Sequence, residues 1–276
     1  MDPKFWHERW SRGEIGFHQH DFNAYMQDFT ERLELRPGAH LFVPLCGKSL
    51  DMLWLLRQGY RVTGVEISLQ AVEDFFSENG LTARVSSIPG GQLFQADGLN
   101  LYCADFFTTG FNGMASIDAV YDRAALVALP PDMRKAYAPR LVGLLEPGVR
   151  ILLVTLEYPE DEMRGPPFAV TLDQVLRFVV DNGFKHGDGC WIKRAVNPAK
   201  FSHHRVDFRN GINRHVLLAE NIHHLSNRCM GHRGWHQQIR SLIQFRHEFP
   251  AKIHPDRCPK IQKYSDHEEE YDLHLQ

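Results

Sequence analysis

The sequence predicts an α/β fold built around a mostly parallel sheet, and two observations carry this prediction. The stretch from Leu41 to Ser68 is typical of a strand, a glycine loop, a helix and a second strand in turn. Beyond it, short apolar runs continue to alternate with segments of helical period as far as residue 180. In such folds, ligands bind at the edge of the sheet where the carboxyl ends of the strands meet.

The first unit contains a candidate cofactor loop. An apolar strand from Leu41, a loop around Gly47 and a run of helical spacing through to Gly59 follow one another. The next strand, 60–66, ends at Glu66. In nucleotide-binding units of this kind, an acid about 20 residues beyond the loop accepts the ribose hydroxyls. Glu66 has that position and is a candidate ribose ligand.

The same loop lacks the usual signatures of phosphate binding. Gly47 is its only glycine, whereas a dinucleotide fingerprint supplies three. Gly47, Lys48 and Ser49 match the last letters of a Walker A loop, but Phe42 stands where its first glycine belongs. A nucleoside ligand without phosphates, such as S-adenosylmethionine, fits best. A Rossmann oxidoreductase remains the rival, because Glu66 alone does not separate the two cofactors.

The N-terminal segment, 4–30, is dense in aromatic side chains and predicts two short helices around a glycine-bearing turn. Trp6 and Trp10 are spaced for one helical face. Either they pack on the domain, or one of them belongs to a lid that covers the ligand. His18 and His20 have no third ligand nearby, which favours a polar turn over a metal site.

Turn residues and apolar runs predict the remaining elements. They are a helix over 69–79, turns and a hairpin over 87–98, a strand over 99–103, a strand over 117–121, a helix over 131–145, a strand over 149–156, a rigid loop over 165–168 and a helix over 172–180.

Two charged residues follow the ends of these strands. Asp105 could accept a hydrogen bond from an adenine amine, or it could serve as a helix cap or turn residue. Arg123 would point into the ligand crevice, where its planar fork can hold a carboxylate or an aromatic heterocycle. The structural alternative for Arg123 is an ion pair with Asp122.

Seven blocks of residues occur together in a specific order. The blocks are Phe5-Trp6-x-x-x-Trp10, Gly13-x-x-x-Phe17-His18-Gln19, Val43-Pro44-Leu45-Cys46-Gly47-Lys48, Gly64-Val65-Glu66-Ile67-Ser68, Leu101-Tyr102-Cys103, Tyr121-Asp122-Arg123-x-Ala125-Leu126-Val127-Ala128 and Gly165-Pro166-Pro167-Phe168. Over residues 1–185 the chain thereby resembles the thiopurine S-methyltransferase family, especially its short bacterial form. The resemblance implies a Rossmann-like class I methyltransferase fold: a mixed, mostly parallel seven-stranded sheet with helices on both faces and an N-terminal helical lid.

The resemblance also implies cofactor-binding residues for S-adenosylmethionine. Trp10 would pack on the cofactor from the lid, Leu45 would contact it through its backbone, and Glu66 would take the ribose hydroxyls. Asp105 and Phe106 would border the adenine, although the family often has a Ser-Ile type pair there. This chain departs from the pattern at those two positions.

The implied activity is transfer of a methyl group to the sulfur of thiopurines or of aromatic and heterocyclic thiols. Arg123 would lie where cofactor and substrate meet, and Phe17 would form part of the substrate wall. A thiolate can attack the methyl group in line, so no general base is assigned. Methylation of selenium or tellurium compounds at the same site is an alternative, as is a degenerate methyltransferase fold that serves as a binding module.

Composition narrows the partners. A formal net charge of −3 gives no electrostatic case for nucleic acid. No apolar run approaches the length of a membrane span, and no apolar signal core begins the chain. Five cysteines without a Cys-x-x-Cys pair predict free thiols. We therefore expect a cytoplasmic protein that binds neither nucleic acid nor membrane. We further expect a monomer without a metal, and the family resemblance implies a small-molecule thiol or chalcogen substrate.

We expect a methyltransferase domain over 1–220, with 185–220 as a drifted closing segment that ends in the last strand. Residues 221–276 form an unassigned extension with three open interpretations. The Cys229, His232 and His236 spacing could suggest zinc, and the run from Trp235 could form a docking helix. A weakly ordered extension that is not needed for function is favoured.

Overall fold

A mixed β-sheet crosses the described part of the chain. The computed structural model describes residues 2–111, 114–146, 148–158, 163–181, 184–185, 191–197, 212–221 and 268–272. Its strands are β1 (His40–Val43), β2 (Arg61–Glu66), β3 (Arg84–Ile88), β4 (Gly91–Ala96), β5 (Leu99–Ala104), β6 (Ala119–Asp122), β7 (Arg150–Glu157), β8 (Phe184–Lys185), β9 (Trp191–Asn197), β10 (Ile212–Asn221) and β11 (Glu268–Asp272).

The helices follow the predicted order, with two additions, a 3-10 helix and a short α-helix. They are α1 (Pro3–Ser11), α2 (Ala24–Phe29), a 3-10 helix (Thr30–Leu33), α3 (Asp51–Arg57), α4 (Leu69–Glu78), α5 (Ala125–Ala128), α6 (Pro131–Val142) and α7 (Leu172–Asp181). The 3-10 helix and the short helix α5 were not predicted. Helix α5 begins two residues after Arg123.

Five parallel strands occupy the middle of the sheet. The strand order is β11-β9-β10-β7-β6-β1-β2-β5-β4-β3, and β8 pairs with β10. The run β7-β6-β1-β2-β5 is parallel, and β10 and β9 continue it antiparallel. These seven strands confirm the predicted mixed, mostly parallel core. The β3–β4 hairpin extends one edge, and β11 extends the other.

Helices cover both faces of the sheet, as predicted. Successive residues of a strand point to opposite faces, so apolar residues of one strand pack against helices on both sides. In β1, Phe42 belongs to the hydrophobic cluster that includes residues of α5, α6 and α7. Its neighbours Leu41 and Val43 belong to a second cluster, which includes residues of α2, α3 and α4. Since all three strand residues are buried, β1 lies at the centre of the fold.

Local signals in the sequence place the helix ends. Pro3 and Pro131 occupy the first turns of α1 and α6, where a missing backbone N–H costs nothing. The side chain of Ser68 accepts a hydrogen bond from the N–H of Ala71 and so caps α4. Gly80 follows that helix with a φ of 62°, the left-handed conformation that favours glycine.

The C-terminal predictions are only partly within the described residues. The predicted last strand, 215–220, lies inside β10 and pairs with β7. Within the predicted extension 221–276, the structure describes residue 221 at the end of β10 and residues 268–272 as β11. The proposed zinc spacing and the docking helix lie outside the described residues. No helix in the described ranges is long and apolar enough to cross a membrane.

Candidate active site

The carboxyl ends of the parallel strands open into a cavity of about 260 Å³. Its walls come from α1, from the loops after β1, β2, β5 and β6, and from the loop at 166–167. All seven residues that the sequence singled out line this cavity: Trp10, Phe17, Leu45, Glu66, Asp105, Phe106 and Arg123. Five of them meet here because parallel strands end at the same edge of a sheet, and Trp10 and Phe17 come from the N-terminal segment.

The loop after β1 makes a tight turn next to the N-terminal helix. Leu45 and Gly47 have φ angles of 45° and 54°, in the left-handed region. The N–H of Cys46 donates to the carbonyl of Val65, 2.9 Å away, and so ties the loop to β2. A Cβ atom on Gly47 would lie 3.2 Å from the ring of Trp10. Glycine thus allows the loop and the tryptophan to approach closely.

Glu66 is buried at the end of β2 and is held by two backbone groups. Its Oε2 accepts from the N–H of Gly47 at 2.9 Å, and its Oε1 accepts from the N–H of Ser68 at 2.8 Å. Burial raises the pKa of the carboxyl, and these backbone hydrogen bonds oppose that rise. An ionised carboxylate has about four acceptor positions. Each oxygen therefore retains capacity for a ligand hydroxyl.

The ammonium of Lys48 is already paired with two carboxylates and is therefore not available to bind a phosphate. Its ammonium lies 2.6 Å from a carboxylate oxygen of Glu78 and 3.5 Å from one of Asp74, both on α4. The side chain is largely buried and makes two ion pairs. The loop thus has neither the glycines of a phosphate cradle nor an unpaired lysine.

Arg123 pairs with Asp51 on α3, so the suggested pair with Asp122 is wrong. Arg123 Nε lies 3.3 Å from Asp51 Oδ2, and the hydroxyl of Tyr121 donates to the same oxygen at 2.9 Å. Side chains alternate in direction along a strand and its extension. Tyr121 and Arg123 therefore reach the face covered by α3, whereas Asp122 lies on the opposite face.

Asp122 instead organises α5 and α6. Its Oδ1 accepts from the N–H groups of Ala125 and Leu126 at 3.0 and 3.2 Å, which caps the first turn of α5. Its Oδ2 accepts from the hydroxyl of Tyr137 at 2.6 Å. Burial raises the pKa of Asp122 to about 6, against the lowering effect of these three hydrogen bonds.

This raised pKa predicts a pH-dependent contribution to stability. Since the folded state holds the Asp122 proton more tightly, the contribution is complete below the ordinary pKa of 3.8 and is lost as the pH rises through about 6. At about 1.4 kcal/mol for each pH unit, the loss is about 3 kcal/mol. We expect the unfolding free energy of wild type relative to Asp122→Asn to fall by that order between about pH 4 and pH 7, measured by urea denaturation. A difference that does not change with pH would contradict the assignment.

Asp105 and Phe106 line the cavity and also stabilise the fold, Asp105 in a turn and Phe106 in the hydrophobic core. Asp105 Oδ1 accepts from the N–H of Phe107 at 2.8 Å, as the turn alternative predicted. The side chain of Phe106 is 1% exposed and stacks with Phe42 in the core. Its ring mainly shapes the cavity floor.

Aromatic rings of the N-terminal segment form one wall. The ring of Phe17 meets those of Trp10 and Trp6 edge to face, with centroids 5.6 and 5.9 Å apart. Both tryptophans line the cavity. Trp6 and Trp10 therefore both pack against Phe17 and line the cavity, so the two interpretations of these tryptophans are compatible. Their role as a lid over the ligand stays a prediction.

The ring of His18 lines the same wall. Its pKa is lowered mainly by burial and further by the charge of Lys48. The His20 ring lies 5.3 Å away, edge to face. Within the described ranges, no group of three or more His, Cys, Asp or Glu side chains is arranged to hold a metal ion.

Cys46 is a cavity residue that the sequence prediction missed as a contact. Burial, with the nearby Glu66 charge, raises the pKa of its thiol well above the usual value. The thiol therefore stays protonated near neutral pH and is a poor nucleophile. Cys46 and Cys103 are both buried and free, as predicted for these two thiols.

Two arginines of α6 hold the loops around the cavity, and sequence reasoning missed them. Arg134 donates through Nε to the carbonyls of Leu126 and Leu129, at 3.1 and 2.8 Å, and through Nη1 to that of Ala169 at 3.1 Å. Backbone acceptors of this kind carry no side-chain signature. Nothing in the sequence pattern therefore identifies Arg134 as a loop anchor.

Arg140 does the same for the loop after β5. It donates through Nε to the carbonyl of Phe106 at 3.2 Å and through Nη2 to the carbonyl of Thr109. Its guanidinium also lies over the ring of Phe111, 5.6 Å from the centroid. One helix thus fixes loops on two sides of the cavity.

Comparison with known proteins gives a consistent result. The chain matches the family model described as Thiopurine S-methyltransferase (TPMT) over residues 1–188. A thiopurine S-methyltransferase of Pseudomonas fluorescens (strain SBW25) is 52% identical over 175 residues, covering 63% of this chain and 80% of the relative. One from Nitrosospira multiformis is 50% identical over 175 residues, with the same coverage of 63% and 80%.

Solved structures share the fold at low sequence identity. The 1,6-didemethyltoxoflavin-N1-methyltransferase of Burkholderia thailandensis, solved with S-adenosylhomocysteine, is 17% identical, with a TM-score of 0.52 over 79% of this chain and 86% of that chain. Magnesium protoporphyrin IX methyltransferase from Synechocystis, with S-adenosylhomocysteine bound, is 14% identical, with a TM-score of 0.53 over 80% and 100%. The folds are alike.

Proposed function

The chain belongs to the thiopurine S-methyltransferase family, S-adenosylmethionine-dependent methyltransferases, and on that premise we propose that it methylates the sulfur of thiopurines or of aromatic and heterocyclic thiols. One observation carries the proposal. A cavity with mostly apolar and aromatic walls combines a buried carboxylate, Glu66, with an arginine, Arg123, whose terminal nitrogens make no hydrogen bond with described residues. A nucleoside and a flat, anionic heterocycle suit these two groups respectively.

The residues at the cavity fit S-adenosylmethionine. The acceptor positions that Glu66 retains suit the two ribose hydroxyls. The ring of Trp10 and the apolar side chains of Ile67 and Phe107 line the same cavity and provide apolar surface for an adenine and a methionine chain. Lys48 is already paired with Asp74 and Glu78, in keeping with a ligand that has no phosphates.

The residues that would hold the cofactor are those implied by the family resemblance. Trp10 would pack against it, Leu45 would contact it through its backbone, and Asp105 would receive the adenine amine through the oxygen that the turn does not use. Phe106 would border the adenine by shaping the cavity floor. Bound S-adenosylmethionine supplies an electrophilic methyl group on a sulfonium sulfur.

The other side of the cavity suits an aromatic thiol. Phe17, Met133 and the prolines at 166–167 provide apolar surface for a flat ring. Arg123 would donate to the delocalised negative charge of a thiolate and fix its orientation. Thiopurines and aromatic thiols are appreciably ionised near neutral pH. The chain therefore has to align the sulfur and exclude water, and no side chain need remove a proton.

Matched acceptors that differ in one atom test the proposal. The full chain is incubated with S-adenosylmethionine and either 6-mercaptopurine or hypoxanthine, and with either thiophenol or phenol. Mass spectrometry then measures the methylated product. We expect S-methyl products from both sulfur compounds and negligible transfer to their oxygen counterparts. No transfer to sulfur, or equal transfer to oxygen, would contradict the proposal.

A further inference from the structure

We propose that Asp51 is the positioning residue that holds Arg123 in the acceptor half of the cavity, an inference that rests on the proposed function. Asp51 is the first residue of α3 and is 1% exposed. Its carboxylate contacts residues from two other parts of the chain: the end of β6 with the residue that follows it, and the residue that precedes α2. No sequence motif joins these segments.

Every described contact of the Asp51 carboxylate has a donor or a positive charge on the other side. Oδ1 accepts from the N–H of Asn23 at 2.8 Å. Oδ2 accepts from the Tyr121 hydroxyl at 2.9 Å and lies 3.3 Å from Arg123 Nε. A buried carboxylate costs free energy unless it is paired and hydrogen-bonded, and these contacts meet that requirement.

The contact with Asp51 involves Nε of the Arg123 guanidinium and leaves the two terminal nitrogens for the acceptor. Asp51 Oδ2 contacts Nε, whereas Nη1 and Nη2 make no hydrogen bond with the described residues. An unanchored arginine side chain samples many rotamers, and ordering it would reduce the affinity for an acceptor. With Nε held by a rigid helix terminus, the two terminal nitrogens are presented to the acceptor in advance.

Asp51 also joins Arg123 to the N-terminal segment. Asn23, whose backbone donates to Asp51, caps α2 with its own side chain by accepting from the N–H groups of Tyr25 and Met26. The segment just before Asn23 carries Phe17, which lines the acceptor wall. One carboxylate therefore fixes both the cation and the start of the helix that follows this wall.

A double-mutant cycle tests the inference. Asp51→Asn removes the negative charge and keeps the side-chain size, and Arg123→Met removes the guanidinium. For wild type, both single variants and the double variant, kcat/KM with 6-mercaptopurine and the Kd of S-adenosylhomocysteine are measured, together with Tm. We expect Asp51→Asn to lower kcat/KM by about 10- to 100-fold, with the Kd within about 2-fold of wild type. In the Arg123→Met background, Asp51→Asn should change kcat/KM by less than about 2-fold.

Asp173→Asn is the matched control. Asp173 pairs with Arg177 Nε at 2.9 Å on the exposed surface of α7, so the same substitution breaks a similar pair away from the cavity. Its kcat/KM should equal that of wild type. If Asp51→Asn does not fold, Tyr121→Phe replaces it. Tyr121→Phe removes one donor from Oδ2, and its smaller loss should likewise disappear in the Arg123→Met background.

The outcomes separate this inference from the proposed function. If the losses of the two substitutions multiply in the double variant, Asp51 acts on the fold in general, and the positioning role is overturned while thiol methylation stands. If wild type does not methylate 6-mercaptopurine or thiophenol, the proposed function fails and this inference fails with it. Loss of kcat/KM that is confined to backgrounds with Arg123 supports positioning.

Discussion

Replacing Glu66 with alanine should weaken the binding of S-adenosylhomocysteine by about 1–3 kcal/mol, which corresponds to about 5- to 150-fold in Kd. The physical reason is that ribose hydroxyls would lose a buried charged acceptor and remain desolvated. Isothermal titration calorimetry on the full chain measures the effect. Glu73→Ala, at an exposed position of α4, is the control and should bind as wild type does.

Glu66 also holds the backbone of Gly47 and Ser68, so the substitution could loosen the loop itself. A ligand without the 2′-hydroxyl separates the two effects. If Glu66 binds the ribose, removing the hydroxyl should cost affinity in wild type and little in Glu66→Ala. Equal affinity of wild type and Glu66→Ala for S-adenosylhomocysteine would remove Glu66 from the cofactor site.

Replacing Arg123 with lysine should lower turnover of 6-mercaptopurine by about 100-fold and leave cofactor affinity nearly unchanged. A lysine ammonium can still pair with Asp51, but it lacks the planar pair of terminal nitrogens that would face a delocalised thiolate. Steady-state kinetics gives the turnover, and calorimetry gives the cofactor affinity. Arg177→Lys, on the exposed side of α7, is the control.

The result that would contradict this role is specific. If Arg123→Lys turns over 6-mercaptopurine at the wild-type rate, the guanidinium does not align the acceptor. If cofactor affinity falls as much as turnover, Arg123 serves the cofactor and its assignment to the acceptor is wrong.

The positions of Glu66 and Arg123 could be predicted because they depend on strand ends, whereas those of Trp10 and Phe17 were implied by the family resemblance. Glu66 and Arg123 follow β2 and β6, and parallel strands bring their carboxyl ends to one edge. The seven-stranded core follows from the same alternation of strands and helices together with the family resemblance.

The partners of those residues could not be predicted in the same way. Asp122 was the obvious candidate for Arg123 because it is adjacent in sequence, yet adjacent residues of a strand point to opposite faces. The actual partner, Asp51, lies on α3, and four strands, β2 to β5, separate that helix from β6 in the chain. Such a contact depends on the packing of α3 against the sheet and leaves no periodic pattern in the sequence.

Loop anchoring by Arg134 and Arg140 escaped prediction for a related reason. Both donate to backbone carbonyls, and every residue has one.

The C-terminal segment 221–276 limits the comparison of sequence and structure in a different way. Apart from residue 221 in β10 and residues 268–272 in β11, the segment 221–276 lies outside the described residues, and the weakly ordered extension stays a prediction.

The central claim, that this cavity binds an adenosine-containing ligand without phosphates, is tested most directly by one titration. Purified full chain is titrated calorimetrically with S-adenosylhomocysteine, and with NAD in parallel. We predict micromolar binding of S-adenosylhomocysteine and no measurable binding of NAD. Binding of NAD without S-adenosylhomocysteine, or of neither ligand by the folded protein, would contradict the account.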